Sequence, residues 1–147
     1  MQMLKFLSGL IIFAIACVLQ FSLMIGTTLN FVFATLIAFA FIFGFWETLF
    51  FILAGVFMIN WQPAPSIALI VFATAPLLTY IFRIIFRWET WIGAVVSLFS
   101  GFLILYFITA PKFIIVAMPL FLLDLFIGLI FGFLVFFLMH RIFGNSS

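Results

Sequence analysis

Nine residues at positions 83–91, RIIFRWETW, hold three of the chain's eight Asp, Glu, Lys and Arg residues, and the runs on either side are almost wholly apolar. Charge is costly in hydrocarbon, so such a stretch sits in water at a membrane face. It divides the chain into two membrane-embedded halves and sets how both are oriented. The composition agrees. Of 147 residues, 70% are hydrophobic and 5% charged, and the mean hydropathy is +1.61. A soluble domain carries about a quarter charged residues to cover its surface. Here lipid takes the place of water around most of the surface, which makes the chain an integral membrane protein.

Transmembrane strands show segments of ~10 residues alternating apolar and polar, because one face looks into a wet lumen. No such alternation appears, so the elements are helices. A helical span takes about 20 apolar residues. The expected fold is a single transmembrane domain over residues 1–147: an all-α integral membrane protein, a compact bundle of six helices near residues 6–25, 28–43, 46–59, 66–86, 90–110 and 113–140. The apolar run after Lys5 is longer than a signal-peptide core, so the first helix is expected to stay uncleaved. The second and third lie at the short end of the spanning range. Pro76 is expected to kink the fourth, with Thr74 or a neighbouring helix satisfying the freed carbonyl. Pro119 is expected to bend the sixth. One cysteine, Cys17, excludes an intramolecular disulfide and any cysteine-built metal site.

With six spans, Lys5, Arg83, Arg87 and Arg141 share one face, against Lys112 alone on the other. The positive-inside rule makes the cation-rich face cytoplasmic, with both termini on that side. Trp46, Trp61, Trp88 and Trp91 fall at predicted span ends, where an amphipathic ring prefers to sit. These cations read as topology anchors and form no basic patch for nucleic acid.

Few residues are placed to carry chemistry. Asp124 is the one carboxylate inside a predicted span. Counting in fours gives Asp124, Gly128 and Gly132 on one helix face, and a Gly-x-x-x-Gly pair lets another helix approach closely. Asp124 therefore faces protein, either as an ion, proton or partner-clamp site, or as a structural carboxyl protonated or paired with Lys112. Gly93, Ser97 and Gly101 form a second small-residue face, suited to packing on the sixth helix or to a homodimer. Gln20, Asn30 and Asn60 belong to a polar group on the outward half, which either lines a cavity, meets a partner helix or forms bonds between the chain's own helices. His140 is the only histidine, so a histidine metal cluster is excluded; it reads as an interfacial anchor. No nucleophile elbow, phosphate loop or metalloprotease motif is present, and no cofactor is expected.

Residues 19–86 resemble the MreD family, the rod-shape-determining membrane proteins of bacteria. The resemblance rests on Leu19-Gln20 late in the first helix, the short polar turn to Leu29-Asn30, the Gly44-x-x-Glu47 turn, Gly55, and Asn60 before a Pro/Ser loop. Where the family pattern has acids, this chain has Asn30 and Asn60. The resemblance implies a non-enzymatic scaffold of the cell-elongation machinery in the bacterial inner membrane, in contact with MreC and wall synthases as well as with membrane lipid. MreD-like folds are also similar to the substrate-binding S-components of energy-coupling-factor transporters. The rival expectation is therefore a small-molecule transporter or its binding subunit, with the outer polar cluster lining the substrate cavity.

Overall fold

The structure, a computed structural model, describes residues 1–22, 30–59, 66–86 and 90–143. The described residues are helical almost throughout, as α1 (Gln2–Ser22), α2 (Phe31–Ile42), α3 (Phe45–Ile59), α4 (Ile67–Ile85), α5 (Thr90–Thr109), α6 (Pro111–Val116) and α7 (Met118–Phe143). By length and composition α1, α4, α5 and α7 are able to cross a membrane, whereas α2 and α3 are shorter apolar helices. Several long apolar helices in one chain are the pattern of a multi-pass membrane protein. Asn60, Trp61, Arg87, Trp88 and the turn at 27–28 lie outside the described residues.

The fold is arranged around α2. Its sequence, FVFATLIAFAFI, has no polar side, and an all-round apolar helix belongs inside. Every residue from 31 to 41 is buried. At 1.5 Å per residue the helix is about 18 Å long, well short of a ~30 Å hydrocarbon core. It is packed by α1, α3, α4, α5 and α7, so protein meets it on all sides.

Such enclosure requires the outer helices to come close. They do so by presenting glycines. A Cβ at Gly101 of α5 would lie 2.5 Å from Ile37 of α2, and one at Gly9 of α1 2.6 Å from Phe43, the residue that ends α2. Gly55 of α3 sits against Leu36 and Val32, and Gly93 of α5 against Phe41. These absent side chains are sockets for the bulky ones of α2. The α5 stripe of Gly93 and Gly101 thus meets α2, where packing on the last helix was expected. The last helix has its own sockets, since Gly128 receives Phe102 and Gly132 receives Leu98, both from α5. The core around them is mostly phenylalanine, with Phe33, Phe39, Phe43, Phe51, Phe102 and Phe136 fully enclosed. Several meet edge to face, as Phe33 does with Phe102 at 5.4 Å and Phe39 with Phe51 at 4.7 Å.

Two prolines behave differently. α4 continues through Pro76. The Thr74 hydroxyl donates to the carbonyls of Ile70 and Val71 at 2.8 and 3.3 Å, rather than to Phe72, whose carbonyl loses its amide partner to the proline. Pro119 does more than bend its helix. The chain leaves helical geometry at Ala117, with φ −124° and ψ 43°, and α6 and α7 are separate elements. Pro119 has no N–H to continue the ladder, and the first turn of a helix is where that loss is harmless.

Gly128→Leu drives a side chain into the Phe102 ring and is expected to destabilise the fold by about 1–3 kcal/mol, the usual range for overpacking. Gly44→Ala, whose Cβ would meet only Glu47 at 3.6 Å, is expected to be close to neutral. Unfolding midpoints of the two variants in detergent micelles check both; equal midpoints contradict the socket packing.

Candidate functional site

A helix end leaves backbone donors or acceptors without intrahelical partners, and away from water these need partners from elsewhere. α2 ends against neighbouring helices at both termini, and polar side chains of those helices reach its ends.

At its N-terminus α2 starts from Asn30, whose side chain does not cap the helix. Gln20, near the end of α1, takes that role from outside: its Oε1 accepts from the Val32 amide at 2.9 Å. Asp124 reaches in from α7. Its Oδ1 accepts from the Asn30 amide at 3.2 Å, and its Oδ2 from Asn30 Nδ2 at 3.3 Å and from the Tyr106 hydroxyl. Asn30 Nδ2 also donates to Tyr106 Oη at 3.4 Å. Gln20, Tyr106 and Asp124 are all buried, Asp124 to 3% exposure. The three contacts to Asp124 each bring a donor to its carboxyl, the arrangement a carboxylate accepts. A negative group beside a helix N-terminus is also favoured by the helix dipole. The cluster joins α1, α2, α5 and α7 in one network.

At the other end cations do the work. Lys5 of α1 donates through Nζ to the Ile42 carbonyl at 2.6 Å and lies 5.5 Å from the Phe43 ring centroid. Arg83 of α4 donates through Nη1 to the carbonyls of Ala40 and Phe43 at 3.2 and 3.3 Å. α2 has no basic residue in its own last turn, so cations from two neighbours supply the charge that a helix C-terminus favours. Glu47 turns the other way, accepting from the Gly44 amide at 2.9 Å to start α3.

Comparison with family models, curated proteins and solved structures finds no match for this chain. The site residues are therefore read from geometry alone. Of the outer polar candidates, Gln20, Asn30 and Asp124 come together, and Asn60 lies outside the described residues. Asp124 is held by Asn30 and Tyr106, while Lys112 is exposed on α6. Gly93, Ser97, Gly101, Gly128 and Gly132 are inward-facing and buried. Lys5, Arg83 and His140 line one cavity at the C-terminal end of α2, together with Met1; Arg141 is exposed on the last turn of α7. His140 stacks on Phe136, with ring centroids 5.4 Å apart.

Sequence reasoning missed Tyr106. The available signal was that it is one of only two tyrosines and falls inside an apolar span, where a phenolic hydroxyl needs a partner. It also missed that Lys5 and Arg83 cap a helix. An apolar segment too short to span, with no cation in its last turn, was the clue to that.

Asp124→Leu is expected to destabilise the protein by about 1–3 kcal/mol, the cost of leaving buried donors unmet. Tyr106→Phe is expected to cost nearer ~0.6 kcal/mol, the average for an interhelical bond in a membrane protein. Because the two side chains share one network, the double variant should lose less than the sum of the singles. Unfolding free energies of the three variants in micelles check this; strict additivity contradicts the shared network.

Proposed function

We propose that the chain is a non-enzymatic scaffold subunit of the bacterial inner membrane, MreD-like, acting through helix contacts with an MreC-like protein and wall-synthesis partners. The single observation that supports this reading is how its intramembrane polar groups are used. Asn30, Tyr106 and Asp124 bond to one another, and Gln20 bonds to the Val32 amide at the start of α2. A substrate subsite would leave such donors and acceptors open to a ligand. What the protein turns outward is apolar helix surface, including Val18, Leu53, Phe57 and Ile130.

On this reading the partner meets a lateral groove between α1 and α3, about 570 Å³ in volume and lined by Phe13, Cys17, Val18, Phe50 and Met58. The groove is apolar and runs along α1, which suits one transmembrane helix of the partner laid beside it. The end carrying Lys5, Arg83 and Arg141 is cytoplasmic on the positive-inside rule, with both termini on that side. The rival reading, a small-molecule transporter or S-component-like binding subunit, is separated by the company the protein keeps.

Pull-down of a C-terminally tagged chain from native membranes, followed by mass spectrometry, is expected to recover an MreC-like protein or wall synthases. Val18→Trp fills the groove with another apolar side chain and is expected to lose them while the protein stays folded. Recovery of an ATPase-bearing complex instead, with or without Val18→Trp, would favour transport and overturn the scaffold reading.

A further inference from the structure

A second feature owes nothing to the scaffold reading. The C-terminal end of α2 opens into a cavity of about 420 Å³ between the ends of five helices, lined in part by Gln2, Lys5, Arg83, Thr90 and His140. A smaller adjoining space of about 210 Å³ shares Arg83 and Thr90 with it and reaches Gly93. Three sources of positive potential converge here. Lys5 gives one hydrogen bond to Ile42, of the three an ammonium can donate. Arg83 makes both its carbonyl contacts through one nitrogen, Nη1, and three of a guanidinium's five N–H donors lie on its other two nitrogens. Thr90 and Gly93 belong to the first turn of α5, where the helix dipole favours an anion. Against them stand the carbonyls of α2 and the Glu47 carboxylate, which is close enough to act on the charge of Lys5 and is already held by Gly44. The balance of formal charge on the described lining and its neighbours is positive.

We infer that this cavity binds a phosphate group, carried by an anionic phospholipid of the leaflet at that end. The remaining walls are apolar, formed by Phe41, Ile42, Met139 and Phe143, and they suit the glycerol and upper acyl chains below a head group. Basic pockets between transmembrane helices are general acceptors for such head groups. A soluble phosphate would use the same cations without the apolar walls. The inference needs only that the protein lies in a membrane, so it stands or falls separately from the identity of any protein partner.

The test is lipid retention by the purified full chain, measured by native mass spectrometry from detergent containing equal phosphatidylglycerol and phosphatidylcholine. Wild type is expected to retain phosphatidylglycerol about thirtyfold more than phosphatidylcholine, from two cations each contributing on the scale of one charge at a membrane surface. Lys5→Ala and Arg83→Ala would lower that retention but also uncap α2. Thr90→Glu avoids this problem, because an acid in the first turn favours α5 while placing a negative charge in the cavity. It is expected to abolish the preference with an unchanged unfolding midpoint. Displacement of the lipid by millimolar inorganic phosphate would support the phosphate site and assign it to a soluble source. Equal retention of the two lipids by wild type, or a preference untouched by Thr90→Glu, would overturn the inference.

Discussion

The structure depends on satisfying the two ends of one buried helix. α2 is too short to span a bilayer and too apolar to lie at its surface, so it is enclosed by other helices. Enclosure leaves its terminal amides and carbonyls to be met by side chains of the surrounding helices. Gln20 and Asp124 meet one end, and Lys5 and Arg83 the other. They come from three helices, with Gln20 and Lys5 both on α1, so capping α2 also fixes α1, α4 and α7 relative to it. Among the described residues, Thr48 Oγ1 is the buried side-chain polar atom without a hydrogen-bond partner. The network is otherwise satisfied at its buried side-chain atoms, as a low-dielectric interior demands.

Packing follows from the same arrangement. In lipid there is no hydrophobic gain from bringing apolar helices together, so association rests on close fit. Glycines on α1, α3 and α5 accept the bulk of α2 and of the residue that ends it, and those on α7 accept α5. The abundance of phenylalanine has a reason in this setting. Large rigid rings fill the space between helices held apart by a central one, and they meet edge to face at low entropy cost.

Much of this was legible in the sequence, and the parts that were not share a cause. Helix class, the boundaries of α3, α4 and α5 to within a residue or two, the inward face of Asp124 and the burial of both small-residue stripes follow from periodicity and composition. The partners of those faces do not, because a stripe says that something approaches closely and not which helix does. The break at Ala117 exceeds the expected bend, since the sequence gives no measure of whether neighbours hold a proline-containing helix together. They do around Pro76 and do not around Pro119. The role of Lys5 and Arg83 was hidden for a similar reason. A cation near a span end reads as an anchor whether it faces the water or a carbonyl.

The fold rests on α2 lying inside the bundle, out of reach of lipid. The most direct measurement is photolabelling of the protein in lipid nanodiscs with a carbene precursor dissolved in the acyl phase, mapped by peptide mass spectrometry. Residues 31–42 are expected to escape label, while the outer faces of α1, α4 and α7 take it up at exposed positions such as Val18, Ile70 and Ile130. Label on α2 at every third or fourth residue would place it at the lipid boundary and contradict the central claim.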